Sequence, residues 1–595
     1  MESVYIADFE TRAGEQAIKD DKTWVWGWSL TSIDDFEHVE TGSSINTFFG
    51  HIRKLDDCVI YFHNLKFDGK FILDFLFKNG FHWVETRKEF YRSRYNFMAL
   101  IDDSGVFYSI TIHGTTQRSK IEIRDSFRKA PFSVEKLGKD FKTKYRKTTL
   151  EYELDRPVGY VPDSEELEYM KNDVRVVAEV MKRFYDDGLD KMTISGDSLE
   201  TFKKMIGHNR FKNYFPQLGS EEDSFVRKSY KGGWCYVDPR RQGEVLTVKG
   251  NTYDVNSLYP SMMSSTPYML NGKKQVNLYP KYQGKYFRGK YVYDPDYPLY
   301  VCRFKAQFKL KEGYLPTIQI KGGRFADNEY IVDTGNNVEE LTLTCIDLEL
   351  FLEHYELIHE IEYIDGYKYY GIAGIFDEYI DHFMLEKTTQ TGSRKAIAKL
   401  HLNSLYGKFG QKIKAESKEP YLYNDSKVRY KMMPEKERKP VYIPVATFCT
   451  AYARRFTITH AQENYEGFCY ADTDSIHMIG DATGLEIHPK NLCCWKHEST
   501  WDSAKFLRQK TYMEHIVEED GESCEPHWIV KCAGMTDNVK ERFLSEIKAG
   551  TKKVKDFDVG LSYENVKLKP CVVEGGVILK PTPFEIKGRK VKTTY

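Results

Sequence analysis

The sequence predicts a multidomain α/β chain, of the α+β kind, built from several separately cored units. Its 595 residues suggest roughly four domains at about 150 residues each. The predicted secondary-structure pattern also changes along the chain. Strand-like and helix-like segments alternate up to about residue 190, strands and turns fill about 266–345, and residues 375–410 have a helical pattern. These changes predict distinct structural units.

Composition and charge exclude several classes of protein. The 87 Lys and Arg residues balance 88 Asp and Glu residues, so the chain is not a uniformly basic nucleic-acid coat, and any polyanion site needs a local concentration of charge. No apolar run approaches the ~18 residues of a membrane span, and the opening MESVYIADFE lacks a basic-then-apolar signal segment. We therefore expect a soluble intracellular protein with no membrane partner.

The eleven cysteines do not predict a disulfide framework, because their number is odd and no CxxC pair occurs. The densest Cys/His stretch, residues 493–532, lacks the paired knuckles that are typical of structural zinc sites. We expect isolated reduced thiols there, and zinc is the open alternative.

The first acidic pair lies on a predicted strand, Val4–Glu10. Asp8 and Glu10 are two residues apart, so both side chains leave the same face of that strand. Two carboxylates side by side repel each other unless a cation lies between them. This spacing indicates a cation site.

Two further acidic positions follow in the first 190 residues. Asp68 follows the apolar strand 58–63 and is expected at a strand-to-helix corner, while Tyr169 and Asp173 lie one turn apart on a helix that Asp163 caps. Each acid taken alone is most simply a solvated surface charge. Four acids and a tyrosine together match a site where two divalent cations activate water to cut a phosphodiester.

A second acidic set lies in the other half of the chain. Residues 251–263 (NTYDVNSLYPSMM) read as a strand that carries Asp254 and runs into a turn, with Pro260 suited to the first helical position. Residues 467–479 (GFCYADTDSIHMI) read as a hairpin whose turn aims Asp472 and Asp474 at one point. A lone DxD is a weak signal, but phosphoryl transfer by two cations needs acids from at least two segments, which these motifs supply.

Between these two segments the sequence predicts a basic helix. Residues 387–414 contain seven Lys or Arg and no acid. Lys395 and Lys399 are one turn apart, and Tyr406 returns to the same face. Such a face is often merely solvated. Here it can instead neutralise a triphosphate and present an aromatic ring to a base pair, which Gly407 would allow to approach closely.

The order of these motifs resembles the family-B DNA polymerases: DxE, NxxxD and YxxxD, followed by DxxSLYP, KLxxNSxYG and YxDTDS. Three further signatures narrow the resemblance to the protein-primed phage replicases of the phi-twenty-nine type: residues 230–233 (YKGG), 510–512 (KTY) and 531–537 (KCAGMTD). The resemblance covers essentially the whole chain. It implies a right-hand polymerase with palm, fingers and thumb, preceded by an RNase H-like 3′–5′ exonuclease of the DEDD-with-tyrosine kind.

The resemblance also implies a division of the chain that includes two terminal-protein-region insertions. The expected units are the exonuclease (1–192), the palm (193–265 and 444–532), the first insertion (266–374), the fingers (375–410), the second insertion (411–443), and the thumb with a basic C-terminal tail (533–595). In relatives the second insertion helps to encircle DNA, which gives processivity and strand displacement. We assign the tail no role.

Residue roles in the exonuclease follow from the resemblance alone. The metal ligands would be Asp8, Glu10, Asp68 and Asp173. Tyr169 would orient the attacking water, and Lys147 would steady the scissile phosphate. The residues that would hold the single-stranded 3′ end are Asn64, Phe67, Ser126 and Phe132.

The polymerase residues are carried over in the same way. Asp254, Asp474 and the carbonyl of Val255 would hold metal, with Asp472 in support. Tyr259 would exclude a 2′-hydroxyl, and the nucleotide would also meet Lys387, Lys395, Lys399 and Tyr406. The DNA-contacting residues would be Tyr230, Gly232, Gly233, Ser257, Asn403, Gly407, Lys510, Tyr512 and Lys531.

We therefore expect a protein-primed, DNA-templated DNA polymerase with a proofreading exonuclease, processive and strand-displacing, that replicates a linear phage-type genome. The resemblance implies two Mg²⁺ per active site, with Mn²⁺ as a substitute. The implied partners are primer-template DNA, dNTPs, a terminal protein as primer, and phage single-stranded and double-stranded DNA-binding proteins. The chain would act as a monomer in the cytoplasm of a bacterial host.

Three alternatives remain open at this point. A stand-alone nuclease would use the second half only to bind its substrate, and a DNA-packaging or scaffold protein would have no turnover. The nearest alternative is a protein-primed polymerase from a linear plasmid or a virus of another host. The sequence does not identify the host or the priming amino acid.

Overall fold

The computed structural model describes residues 3–152, 154–319 and 330–588. Most of the predicted basic tail, residues 589–595, and a stretch of the first insertion lie outside the described residues. In the described part of the chain, no helix has the length and apolar content to cross a membrane. The mixed multidomain α/β architecture predicted from the sequence is confirmed.

The N-terminal region forms an eight-stranded sheet covered by helices. Its strands are ordered β3-β2-β1-β4-β8-β7-β6-β5, and β1, β4 and β8 run parallel. The elements are β1 (Ser3–Thr11), α1 (Gly14–Asp20), β2 (Val25–Ser32), β3 (Val39–Gly42), α2 (Ile45–Ile52), β4 (Cys58–Phe62), α3 (Leu65–Lys78), β5 (His82–Trp83), α4 (Arg87–Phe90), β6 (Asn96–Ile101), β7 (Phe107–His113), β8 (Lys120–Asp125), α5 (Val134–Asp140) and α6 (Ser164–Asp186).

The long helix α6 confirms the capping box read from the sequence. The Asp163 side chain accepts from the backbone amides of Glu165 and Glu166, and the Glu166 side chain accepts from the amide of Asp163. The helix buries a stripe that includes Met170, Val177 and Phe184, which anchors it on the sheet.

A second sheet organises the other half of the molecule. Its seven strands are ordered β27-β26-β25-β10-β24-β23-β9. The elements up to this sheet and within it are α7 (Ile194–Ile206), α8 (His208–Tyr214), α9 (Ser220–Ser229), β9 (Cys235–Val237), β10 (Gly250–Val255), α10 (Leu258–Met263), α14 (Ile443–Glu463), β23 (Phe468–Asp472), β24 (Ser475–Ile479), β25 (Trp495–Arg508), β26 (Thr511–Glu519) and β27 (Glu522–Cys532).

The first predicted insertion is a mainly β structure built on α14. It contains β11 (Tyr268–Leu270), β12 (Lys273–Gln275), β13 (Tyr279–Arg288), β14 (Leu299–Ala306), β15 (Phe308–Leu310), β16 (Glu339–Thr344), α11 (Cys345–His354), β17 (Tyr355–Leu357) and β18 (Glu362–Ile372). Arg454 of α14 makes a bidentate ion pair with Asp347 of α11, and it donates to the backbone carbonyls of Lys231 and Gly232. The insertion is thereby fixed to the segment that precedes β9.

The second insertion has the expected strands, but the predicted single basic helix is divided at residues 390–391, so that Lys387 lies on one helix and Lys395 and Lys399 lie on the next. The helical stretch is α12 (Asp377–Thr389) and α13 (Gly392–Phe409). The second insertion is a long hairpin of nested pairs: β19 (Lys414–Ala415), β20 (Lys418–Leu422), β21 (Val428–Met432) and β22 (Lys436–Glu437). The chain ends in α15 (Asp537–Lys548) and the hairpin β28 (Ser562–Val573) and β29 (Gly576–Glu585).

Distant parts of the chain complete the N-terminal core. Val428 of the second insertion and Val577 of the C-terminal hairpin are buried in the same hydrophobic cluster as the N-terminal sheet. The Asp21 carboxylate forms ion pairs with both Lys427 and Lys580. Three regions far apart in sequence therefore meet at one junction.

Two local expectations need correction. Asp68 is the fourth residue of α3 and so lies one turn inside the helix, because the strand-to-helix corner is made by Asn64, whose φ is 75°. Pro260 is the third residue of α10 rather than the first. Proline is tolerated there because the amides of the first turn have no partner within the helix.

Candidate active sites

The first acidic centre forms where β1 meets α6. Carboxylate oxygens of Asp8, Glu10 and Asp173 lie within 4.8 Å of one another, and this is the one such group of three found among the described residues. The alternating directions of side chains on β1 bring Asp8 and Glu10 to one face, as predicted. Burial and the neighbouring carboxylates raise the pKa of Asp8 to about 7 and that of Glu10 well above its usual range.

Asp68 completes this centre from α3. It is buried, and Asp8 is the charged neighbour with the largest effect on its raised pKa, after burial itself. Asp68 is not part of the tight group of three, so it approaches the centre from the side of Asp8. All four predicted acids thus converge.

A lysine is in direct contact with the first acidic centre. The Lys147 ammonium forms an ion pair with Asp173 and donates to the Tyr169 hydroxyl at 2.9 Å. Tyr169 is also 2.7 Å from the Tyr152 hydroxyl. Lys147 and Tyr169 were expected here, whereas nothing in the sequence pattern pointed to Tyr152.

The four residues expected to hold a 3′ end have unequal exposure. Asn64 is exposed and Phe67 and Phe132 are half-buried, so all three are accessible. Ser126 is buried, donates to the carbonyl of Phe62 and lies 3.0 Å from His63 Nδ1. His63, which the sequence analysis did not identify, also reaches the carbonyl of Phe132 at 2.7 Å.

The second acidic centre is built by a tight hairpin beside β10. Strands β23 and β24 are joined by Thr473 and Asp474, with Thr473 at a φ of 65°. Asp254 pairs across the sheet with Ser475, and the amide of Val255 donates to the carbonyl of Asp474 at 2.7 Å. This pairing brings together two segments that are more than two hundred residues apart in sequence.

The electrostatics of this centre show that Asp254 has Asp474 as a charged neighbour. Burial raises the pKa of Asp254 to about 8, and the charge of Asp474 is the next largest cause. The pKa of Asp474 rises to about 6, again mainly through burial. Glu498, which sequence reasoning missed, raises both values, and both acids line a cleft of about 1010 Å³.

Asp472 differs from its neighbours because it has a cationic partner. Lys510 donates to its carboxylate at 3.1 Å. The backbone amide of Lys510 also donates to the Tyr470 hydroxyl at 2.9 Å. Asp472 therefore anchors the segment 510–512 to the hairpin, which is consistent with a supporting role.

The fingers lysines face the second centre. Lys387 of α12 donates to the Ser257 hydroxyl at 2.7 Å. Its pKa is lowered by burial and by the charges of Lys399 and Lys395, while Asp254 acts in the opposite direction. Three cations from α12 and α13 thus lie close together next to the acids.

Two predicted nucleotide-binding residues stack on each other. The rings of Tyr259 and Tyr406 are 3.9 Å apart at an interplanar angle of 23°. The end of α13 beyond them is accessible, since Asn403 and Gly407 are exposed and a Cβ on Gly407 would meet no atom within 4 Å. The surface at Gly407 is therefore open, whereas the two stacked tyrosine rings close the space between them.

The segment 230–233 packs against the hairpin of β23 and β24. A Cβ on Gly233 would lie 2.6 Å from the Thr473 side chain, so only glycine allows this approach. Tyr230 packs in the same way on Gly410, whereas Gly232 has open space. Gly233 and Tyr230 thus have packing roles in addition to the predicted DNA contact.

The remaining predicted DNA contacts line the cleft. Lys510, Tyr512 and Lys531 are among its lining residues, together with the acids. Tyr512 is half-buried and Lys531 is exposed. The Cys/His stretch 493–532 forms no convergent group of ligands among the described residues, and none of the eleven cysteines, all of them described, forms a disulfide.

Both centres have a donor set that fits divalent cations such as Mg²⁺ or Mn²⁺. The group of three at Asp8, Glu10 and Asp173 consists of carboxylate oxygens, which hard cations prefer. Asp254 and Asp474 offer the same type of donor, although the described residues form no group of three there. Asp173 Oδ1 is buried with no hydrogen-bond partner, so it is available as a ligand. A cation would relieve the repulsion that raises these pKa values.

Comparisons with known proteins agree with this geometry. The family model described as DNA polymerase type B, organellar and viral, matches residues 51–162 and 153–482. The chain is 40% identical to the DNA polymerase of Bacillus phage phi29, over 98% of this chain and 99% of the relative. It is 33% identical to the DNA polymerase of Streptococcus phage Cp-1, over 99% of each.

Solved structures give the same result. A phi29 DNA polymerase structure with primer-template DNA and incoming nucleotide substrates has a TM-score of 0.89 at 37% identity, covering 99% of this chain and 100% of that one. The alternative of a packaging or scaffold protein without turnover is therefore wrong. The chain belongs to the organellar and viral type B DNA polymerases, and it is a DNA-directed DNA polymerase with a 3′–5′ exonuclease.

Proposed function

We propose that the cleft at Asp254 and Asp474 adds deoxynucleotides to a primer 3′-hydroxyl, and that the centre at Asp8, Glu10, Asp68 and Asp173 removes mispaired ends. The observation that carries the proposal is the convergence of Asp254 and Asp474 beside three fingers lysines. The substrates would be primer-template DNA and dNTPs, as in the phi29 structure with DNA and nucleotides.

Divalent cations would be held by Asp254, Asp474 and the Val255 carbonyl at one centre, and by the four acids at the other, with Mg²⁺ as the proposed ion and Mn²⁺ as a substitute. When bound, such ions lower the pKa of the attacking hydroxyl or water and neutralise charge on phosphate. The raised pKa values of Asp8 and Asp254 support these assignments.

The protein groups would supply positioning. Lys387, Lys395 and Lys399 would bind the triphosphate, because three clustered cations match its charge. Tyr259 would lie under the sugar and exclude a 2′-hydroxyl. Lys147 would bind the scissile phosphate, and Tyr169 would orient the water.

The DNA would follow the cleft. Lys510 and Tyr512 would grip the primer strand, with Lys531 beside them. The other proposed contacts with template and primer are Tyr230, Gly232, Gly233, Ser257, Asn403 and Gly407, and the proposed holders of an unpaired 3′ end are Asn64, Phe67, Ser126 and Phe132. For Ser126 we propose an indirect role through His63, because its hydroxyl is buried.

We also propose the division into exonuclease, palm, fingers, thumb and two insertions with the boundaries predicted above. The nested hairpin at 414–437 and the β-rich segment at 268–372 support the two insertions. Strand displacement and processivity would depend on the second insertion. The host would be a bacterium, as for the phage relatives, and the enzyme would act in its cytoplasm.

Protein priming is the finer part of the proposal, and the phage relatives support it. The enzyme would link a deoxynucleotide to a hydroxyl amino acid of a terminal protein and release pyrophosphate. Incubation with candidate terminal protein, one labelled dNTP and Mg²⁺ should give a covalent protein–nucleotide adduct. Extension of an ordinary primed template without any adduct would leave the polymerase proposal intact and contradict protein priming.

A further inference from the structure

A buried polar network lies under the polymerase cleft. The Glu514 carboxylate accepts from His477 Nδ1 at 2.7 Å and from the Thr252 hydroxyl at 3.2 Å, both at Oε1. His477 Nε2 faces the Ser475 hydroxyl at 3.3 Å. The four residues line the same cleft as the acids, although each is 9% exposed or less.

The network joins three strands of the palm sheet. Glu514 is on β26, Thr252 is on β10 and His477 is on β24, so Glu514 reaches past the intervening β25. Thr252 and His477 are direct cross-strand partners, and the next pair on the same face is Asp254 with Ser475. Side chains on one face of a strand repeat every two residues. The network therefore fixes the pair Thr252 and His477, which lies directly beside the pair that contains Asp254.

Stability alone does not account for these residues. Burying a carboxylate and an imidazole is expensive, and apolar replacements of similar volume are often neutral or stabilising. The His477 ring is also enclosed by Tyr470 and Tyr512, at centroid distances of 5.1 and 5.0 Å. The network therefore contacts Tyr470, on the strand that leads into the hairpin, and Tyr512, in the proposed primer grip.

We propose that Glu514 is a positioning residue which, through His477 and Thr252, sets the spacing of Asp254 and Asp474 and so the affinity of the polymerase centre for a divalent cation. This inference rests on the cation site proposed above. Partners of this kind, which hold ligands without touching the metal, typically change affinity by about 10–100-fold when they are removed.

The test measures Mn²⁺ binding directly. The full chain with Asp8→Ala and Asp68→Ala, which weakens the other centre, would be titrated with Mn²⁺, and free Mn²⁺ would be followed by electron paramagnetic resonance. Glu514→Leu in this background should weaken binding at the polymerase centre about tenfold. Glu514→Gln keeps an acceptor oxygen and should restore binding to within about threefold of the parent.

Two further variants separate positioning from charge and from folding. Glu525→Leu removes an exposed carboxylate from the neighbouring strand β27, outside the lining of the cleft, and should leave Mn²⁺ binding unchanged. Thr252→Val keeps the shape of the side chain but cuts the bond from Glu514 to β10, and it should weaken binding about threefold. Thr252→Val provides the test if Glu514→Leu does not fold.

The outcomes are distinguishable. Lower thermal stability of Glu514→Leu or Thr252→Val with parental Mn²⁺ affinity would show a merely structural network and overturn the inference. Equal weakening by Glu525→Leu would point to charge alone and overturn it as well. If the parent binds Mn²⁺ no better than its Asp474→Ala derivative, the proposed cation site itself is wrong.

Discussion

The two acidic centres differ in how the repulsion between their carboxylates is compensated. In the exonuclease the acids are crowded, and Lys147 forms an ion pair directly with one of them, Asp173. In the polymerase centre Lys510 forms an ion pair with Asp472, whereas Lys496 and Lys387 act on Asp254 through their charge without a direct ion pair. The exonuclease therefore compensates one acid by a direct ion pair, whereas Asp254 of the polymerase centre has lysines nearby but no ion pair with one, so this centre depends more on bound ions and on substrate.

The sharpest test of this comparison is to remove one acid from the polymerase centre. Asp474→Ala should reduce primer extension by at least about 10³-fold, because several kcal/mol of charge stabilisation would be lost. Degradation of single-stranded DNA should continue at the parental rate. Asp103→Ala, a change of an exposed acid, is the control. Loss of both activities in Asp474→Ala would contradict two separate centres.

Removing two acids from the other centre should abolish only the exonuclease activity. Asp8→Ala with Asp68→Ala should lower 3′–5′ degradation by about 10³-fold for the same reason. Incorporation of dNTPs on a primed template should remain. Degradation of single strands by a preparation free of contaminating nuclease would disprove the assignment.

A smaller effect is expected from the lysines, and it should differ between the centres. Lys147→Ala removes the ion pair to Asp173 and should slow degradation about 10–100-fold, with more Mg²⁺ needed for half-maximal rate. Lys510→Ala should change the KM for primer-template more than the Mg²⁺ requirement, because its partner is Asp472. Rate measurements over a Mg²⁺ series would decide, and identical Mg²⁺ shifts in both variants would contradict the comparison.

The smallest expected effect is on thermal stability and its dependence on pH. The pKa of Asp254 is raised to about 8, so the cation-free folded chain binds a proton there that the unfolded chain releases near pH 4. The contribution of this group to stability therefore falls as pH rises from about 4 to about 8. In EDTA, Asp254→Asn should raise the Tm by about 2–4 °C at pH 8 and by less at pH 5. A gain in Tm that does not depend on pH would show that charge at Asp254 is not the cause.

The sequence predicted the centres better than it predicted their surroundings. Asp8 and Glu10 could be placed because a strand repeats every two residues, and the turn at Asp472 and Asp474 could be read from a polar segment between apolar strands. The corner at Asn64 and the place of Pro260 were missed by a few residues, since helix starts depend on backbone geometry that many sequences allow.

Contacts between distant segments could not be predicted from the sequence. Tyr152, His63, Glu498 and Glu514 carry no local signal, because a single Tyr, His or Glu has the same pattern in a solvated loop and in a buried network. Only the tertiary fold brings each of them to its partner.

The junction at Asp21 has a consequence for how the protein is made. The N-terminal sheet emerges first from the ribosome, but its core is completed by Val428 and Val577, and its rim by Lys427 and Lys580. Until residues 577–580 have been translated, that apolar patch is uncovered and prone to aggregate. Shortened forms that keep the nuclease portion alone should consequently be poorly behaved in isolation, even though every one of its acids is present.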